Sequence, residues 1–224
     1  PLALRWPANQ TFDDFLESAG NVLALSAIRR SAMESAAWIF VAGPAASGKT
    51  HLLTAACVAA NAAGCTAQYL SLSALGADRA AAIRAFGGSD LLAIDNIDSI
   101  AGDGVAEHAL FDLYNRCKGE GAKLLFSART TPAQLGLTLP DLQSRFAACT
   151  QFQVRALDES ERRELIRQRA AARGIEFDDA VLDWLFVHKG RDLTTLGGLL
   201  DRIDTAALAA KRRVTVPFLR QLLN

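Results

Sequence analysis

Several things are scarce in this sequence, and each scarcity removes a class of function. There is no excess of charge of either sign: Lys and Arg number 24, as do Asp and Glu. No global positive field therefore draws the chain to nucleic acid, which leaves only a local basic patch for that purpose. Long apolar runs are missing too, and nothing approaches the ~18 uncharged apolar residues of a membrane helix. The first residues carry no basic stretch ahead of an apolar core, so no signal peptide is read, although the chain opens on Pro1 without Met. Cysteine is sparse and scattered. Cys57, Cys65, Cys117 and Cys149 form no Cys-x-x-Cys pair and have few histidines near them. They read as free thiols of a reducing cytosol, against the alternatives of a disulfide or a zinc site. Neither an internal repeat nor a low-complexity linker interrupts the pattern.

What remains is ordinary for a globular protein: 224 residues, 50% hydrophobic and 21% charged. That is enough for one sizeable core and a smaller second domain. Short apolar runs alternate with longer helical patterns. The strands expected are Trp38 to Ala42, Ala67 to Leu72, Leu91 to Asp95, Lys123 to Ala128 and Thr150 to Val154. Helices are expected between them at Lys49–Ala63, Leu75–Phe86 and Val105–Glu120. This alternation predicts βαβ units and a mostly parallel sheet covered on both faces. After Val154 the strands stop and helix patterns follow, the first capped by Asp158 with Glu161 and stopped by Gly174. The expected division is an α/β domain over residues 1–156 and an α-helical one over 157–224.

Two motifs carry chemistry. "GPAASGKT" fits G-x-x-x-x-G-K-[ST] in full and sits between a strand and a helix. Here Gly43, Pro44, Ala45, Ala46, Ser47 and Gly48 would curl so that backbone N–H groups face phosphate oxygens, at the positive end of a helix. Lys49 would reach the β- and γ-phosphates, Thr50 would join a Mg²⁺ shell, and His51 follows directly. A chance glycine turn is the plain alternative. "LLAIDNID" delivers Asp95 at the C-terminal end of a buried strand, where ligands bind in open α/β sheets, and Asp95 would hold Mg²⁺ through water. The next residue is Asn96, where a hydrolysing site commonly has a carboxylate. An amide can hydrogen-bond a water but cannot take its proton, so intrinsic hydrolysis is expected to be slow.

Together with these motifs, "TFDDF", "LLAIDNIDSIAGD", "ALFDLYNR", "LPDLQSRF" and the helical tail resemble the AAA+ proteins of the DnaA family, and within it the Hda-type regulatory inactivators of DnaA. The resemblance spans nearly the whole chain. It implies an AAA+ P-loop core with a small C-terminal α-helical lid, ADP or ATP with Mg²⁺ as cofactors, and a cytoplasmic regulator. Such a protein lowers replication initiation by stimulating hydrolysis of DnaA-bound ATP. Its partners would be DnaA and the DNA polymerase sliding clamp, with self-association left open. A self-sufficient ATPase and an initiation or remodelling factor are the alternatives. The chain ends at Asn224 soon after its fourth tail helix, so no helix-turn-helix DNA-binding domain and no sequence-specific DNA contact are expected.

By the same resemblance, Thr11, Phe12 and Phe15 fall in the segment near the adenine, with core packing as the alternative reading. Arg145 matches the arginine finger, offered to a nucleotide on a neighbouring subunit, and its alternative is a surface arginine capping a short helix. Ser127 and Arg129 lie at the end of the sensor 1 strand, but Ala128 stands where an Asp is frequent. Thr194 falls where the sensor 2 arginine normally is, and Arg191 one turn earlier could replace it only by reaching along the helix. Pro1 to Leu4 resembles the downstream edge of the clamp-binding motif, its glutamine part missing, or else an unrelated apolar tail.

Overall fold

The computed structural model of the chain describes residues 10–33, 38–189, 193–210 and 213–223. The chain divides into two compact units, Pro1–Ala156 and Leu157–Asn224. The first is a five-stranded sheet in the order β2-β3-β4-β1-β5, with β1 (Ile39–Ala42), β2 (Ala67–Ser71), β3 (Leu91–Asp95), β4 (Lys123–Ala128) and β5 (Thr150–Gln153). Every pairing is parallel. A parallel sheet needs crossover helices that cover both faces, so its inner strands are apolar on both sides. β1 and β3 accordingly have every residue buried.

Alternate residues of β1 to β4 feed separate cores, whereas the edge strand β5 turns only Phe152 inward. Phe40, Leu92, Ile94, Leu124 and Phe126 pack with Ile83 of α3 (Arg79–Ala85), Leu110 and Leu113 of α4 (Gly104–Glu120) and Phe146 of α5 (Pro140–Ala147). On the opposite face, Ile39, Val41, Ala93 and Leu125 pack with Leu25 and Ile28 of α1 (Val22–Met33) and Leu52, Leu53 and Ala56 of α2 (Lys49–Ala62). The ends of these helices follow their local chemistry. Asp103 accepts from Ala106 N to start α4, and Gly121, at φ 73°, ends it.

Two helices of this unit escape the sequence patterns. α1 begins just beyond Asn21, whose side chain accepts from Ser18 N at 2.8 Å and donates to the Leu16 carbonyl at 2.9 Å. α5 has only 8 residues, too short for a periodic signal, and opens on Pro140. The helix expected over Leu75–Phe86 needs correcting. A 3₁₀ turn at Leu72–Ala74 comes first, Leu75 is extended, and α3 starts only at Arg79. Gly76 is a poor helix former, and Leu75 leaves the helical path to pack against the core beneath α3 and α4.

The second unit contains α6 (Glu159–Ala171), α7 (Asp179–His188), α8 (Leu193–Ala210) and α9 (Val216–Leu223). Asp158 and Glu161 cap α6 reciprocally, each at 2.9 Å. The chain turns at Gly174, φ 72°. Ile166, Leu182, Leu185, Leu200, Ile203 and Leu219 form a core of their own. All four cysteines are free thiols. No helix among the described residues is long and apolar enough to cross a membrane.

Candidate functional site

The C-terminal ends of β1, β3 and β4 lie side by side and bring the two motifs together. Gly43 N donates to the Ala128 carbonyl at 3.1 Å, which anchors the loop on the end of β4. Past that anchor the backbone turns left-handed twice, at Ala46 (φ 58°) and Gly48 (φ 88°). Alternation of this kind makes a concave array of N–H groups suited to an anion. At Ala46 it is held against the steric preference of an L residue. At Gly48 a Cβ would meet Phe15 Cε2 at 2.7 Å, so both the φ and the space call for glycine.

Lys49 opens α2 and is buried. Its ammonium donates to the carbonyls of Gly43 at 2.8 Å and Pro44 at 2.7 Å and to Ser47 Oγ at 3.3 Å. Burial lowers its pKa, Asp95 and Asp98 work against that shift, and Arg129 adds to it. A cation folded onto the rim of an anion cradle is chemically suited to phosphate. Thr50, one residue on, donates to Asp95 Oδ2 at 2.6 Å.

Asp95 is fully buried yet fully partnered. Oδ2 also accepts from the Tyr69 hydroxyl at 2.7 Å, while Oδ1 accepts from Asn96 N at 3.0 Å and from the Ser127 hydroxyl. Thr50 and Asp95 offer hard oxygen donors of the kind Mg²⁺ takes alongside phosphates and water. Among the described residues no three His, Cys, Asp or Glu side chains gather into a metal-holding group. A Mg²⁺ here would thus rest on these two residues, the nucleotide and water. Asn96 adopts φ 61°, and its amide donates to Ser71 Oγ at 3.2 Å. Arg129 turns to Asp98, with Nε at 3.3 Å and its backbone N at 3.0 Å. Ala128 is buried, with its carbonyl taken by Gly43.

The segment before α1 lies across the loop. The Thr11 carbonyl is 2.7 Å from His51 Nε2, and the Phe15 ring meets the His51 ring edge-on at 5.2 Å. Phe12 is a core residue with the Arg29 guanidinium over its ring at 5.3 Å. The two aromatics therefore differ: Phe12 packs inward, and Phe15 borders the loop.

Arg145 is elsewhere. It sits in the last turn of α5, half-buried rather than fully exposed, with its guanidinium 5.8 Å from the centre of the Tyr114 ring. Tyr114 meets Trp38 edge-on at 4.5 Å, and Trp38 immediately precedes β1. Arg145 thus belongs to the N-terminal edge of the sheet, and Gly43 to the C-terminal edge. The four residues of β1 lie between, roughly 13 Å at ~3.3 Å per residue. No carboxylate pairs with Arg145 among the described residues.

Pro1 to Leu4 and Arg191 lie outside the described residues, and Thr194 is described only as part of the α8 backbone. Sequence reasoning missed Tyr69 and Glu107. The Glu107 carboxylate is fully buried and accepts from Gly102 N at 2.8 Å, from Thr138 N and Oγ1 at 2.9 Å each, and from Leu139 N at 2.7 Å. The available signals were a tyrosine in a strand two residues short of the Asp95 level and a glutamate on the apolar face of α4.

Comparison with known proteins accords with this geometry. Residues 7–153 match the bacterial DnaA ATPase domain, and residues 158–223 match the Hda lid domain. An uncharacterised protein of Haemophilus influenzae is 31% identical over 226 residues, spanning 100% of this chain and 97% of its own. Domain III of the Thermotoga maritima initiation protein DnaA superposes with a TM-score of 0.75 at 20% identity, covering 98% of this chain and 97% of that one. AMPPCP-bound DnaA from Aquifex aeolicus gives 0.71 at 20% identity, over 91% and 68%. The Thermotoga maritima RuvB branch migration motor gives 0.65 at 21%, over 97% and 72%. At such identities these structures establish the fold, an α/β AAA+ core followed by a helical lid.

Proposed function

This chain belongs to the bacterial DnaA ATPase-domain family and carries an Hda lid, and from that premise we propose that it binds an adenine nucleotide and restrains replication initiation. It does so by lending Arg145 to ATP bound on DnaA. The loop from Gly43 to Thr50 would hold the nucleotide, ADP or ATP with Mg²⁺, and Thr50 and Asp95 would supply the protein oxygens for the ion. The nucleotide serves mainly to hold the shape of the subunit. Asn96 has no basic carboxylate to give, and its amide is engaged with Ser71, so the chain's own turnover is slow. DnaA is the partner whose ATP is spent, and the sliding clamp is the platform on which the two meet.

The observation that supports this reading is the separation of Arg145 from its own loop. A guanidinium at the opposite sheet edge, without a carboxylate partner among the described residues, suits a phosphoryl group on another subunit. Such a planar cation stabilises charge spreading onto the transferred group, and fingers of this kind accelerate hydrolysis roughly 10³–10⁵-fold.

The test is hydrolysis of DnaA-bound ATP with this protein added, with and without clamp loaded on DNA. Acceleration that disappears in Arg145→Ala, while that variant keeps its fold and its ADP affinity, is the expected result. Lysine at 145 restores little, because it lacks the planar fork. Stimulation that survives Arg145→Ala refutes the role, and fast turnover without DnaA would favour a self-sufficient motor.

A further inference from the structure

The phosphate-loop and Asp95 motifs do not include the residue that β2 adds to this site. Ser71 pairs in register with Asp95, and Tyr69 with Ala93. Tyr69 is therefore the diagonal cross-strand neighbour of Asp95 on the same sheet face, a spacing that an aromatic side chain can bridge. Its hydroxyl donates to Asp95 Oδ2 at 2.7 Å, beside the Thr50 hydroxyl at 2.6 Å. With Asn96 N and Ser127 on Oδ1, four donors meet a carboxylate that offers about four lone-pair positions. The acceptor is saturated.

A Mg²⁺-bound water held by Asp95 needs one of those positions. Thr50 need not leave, since it can donate to Asp95 while giving a lone pair to a cation. Asn96 N is fixed by the backbone, and Ser127 is fully buried, so neither can turn to water. Tyr69 is only half-buried, so its hydroxyl can exchange Asp95 for solvent without orphaning a buried group, and unlike Thr50 it has no place in the Mg²⁺ shell that keeps it beside Asp95. A phenol keeps its proton at neutral pH, so the hydroxyl stays a donor.

We infer that Tyr69 is a positioning residue that competes with nucleotide-bound Mg²⁺ for Asp95, so that nucleotide binding draws less on the divalent ion than it would at an open aspartate. This rests on the nucleotide-binding reading above. The chemistry needs nothing beyond hydrogen-bond exchange at Oδ2.

The experiment compares the full chain with Tyr69→Phe, which keeps the ring and its packing. ADP affinity is measured by calorimetry in EDTA and across a MgCl₂ titration. The expected result is a Mg²⁺ midpoint lowered on the order of tenfold in the variant, the lower end of what a hydrogen bond to a charged group contributes. ADP affinity in EDTA stays unchanged, which a merely structural role for Tyr69 would not predict. Normal ADP binding with the same Mg²⁺ midpoint in both proteins overturns the inference alone. A wild-type chain that binds no ADP under either condition overturns the nucleotide reading along with it.

Discussion

Glu107→Gln is expected to destabilise the α/β unit by about 2–3 kcal/mol, although it alters a single atom of a residue outside the phosphate loop. In the wild type, Oε1 accepts from Gly102 N at 2.8 Å, and Oε2 from Thr138 N, Thr138 Oγ1 and Leu139 N at 2.7–2.9 Å. The glutamine amide cannot replace this, because its NH₂ must face at least one backbone N–H. The better orientation keeps the oxygen toward Thr138 and Leu139 and orphans Gly102. A buried unsatisfied donor costs about 1–3 kcal/mol, and the remaining bonds lose their charge assistance. The effect is pH-dependent, and its sign follows from the pKa. Burial alone would raise it, but donation from Thr138, Gly102 and Leu139 outweighs burial and holds the carboxyl below its ordinary value. The stabilisation is therefore present above the unfolded pKa of ~4.3 and is lost as pH falls through the lower folded value. Urea unfolding followed by circular dichroism at pH 7 and pH 3.5, with m-values compared, measures both. A difference under ~0.5 kcal/mol at pH 7, or one that does not narrow in acid, would refute the reasoning.

Other consequences are simpler to state. Lys49→Ala removes the ammonium that spans the loop carbonyls and is expected to weaken ADP binding by about 1.5–3 kcal/mol; an unchanged dissociation constant in calorimetry would take the loop out of the site. Gly48→Ala forces a left-handed alanine, about 1–2 kcal/mol, and drives its methyl against Phe15, so the melting temperature falls. Burial pushes the thiols of Cys57 and Cys149 up to about 12 and that of Cys117 up to about 11. Only half-buried Cys65 should therefore react quickly with a thiol reagent at pH 8, and all four after unfolding. Asn96→Glu is expected to raise basal ATP turnover if the amide is what limits it; no change would place the limit elsewhere.

Legibility from sequence followed the physics of each element. The strands could be read because parallel strands buried on both faces are continuous apolar runs, as "IFVA" and "LLAID" are. α2 and α4 were readable because each is long enough to repeat its pattern. α5 was not, since 8 residues scarcely repeat anything, and α3 was overrun because Leu75 is apolar for a reason other than helix periodicity. At the site, local motifs put Lys49 and Thr50 at the start of the helix after the loop and Asp95 at the end of a strand, which is where the structure has them. The contacts made by Tyr69 and Glu107 depend on register and on a loop 31 residues away, which no local pattern encodes. Phe12 and Phe15 read alike in the sequence yet have different environments, Phe12 in the core under Arg29 of α1 and Phe15 against His51 of α2.

Sheet topology also constrains how Arg145 can act. β5 runs parallel to β1 with Thr150 opposite Ile39, so the helix that feeds β5 must finish at the edge where β1 begins. The loop that follows β1 must lie at the other edge. No rotamer change in Arg145 can cross the length of a strand, and no shift of α5 can do so while the β1–β5 ladder and the Glu107 bonds to Thr138 and Leu139 persist. A finger acting on this chain's own nucleotide would therefore require partial unfolding of the sheet edge. For the same reason, Arg145→Ala is expected to leave ADP binding by this chain unaltered. The variant gives up a guanidinium resting on Tyr114, a contact between a half-exposed cation and an aromatic ring that contributes about 0.5–1 kcal/mol. A stability loss well beyond that, or a change in ADP affinity, would mean that Arg145 supports its own subunit rather than a neighbour's chemistry.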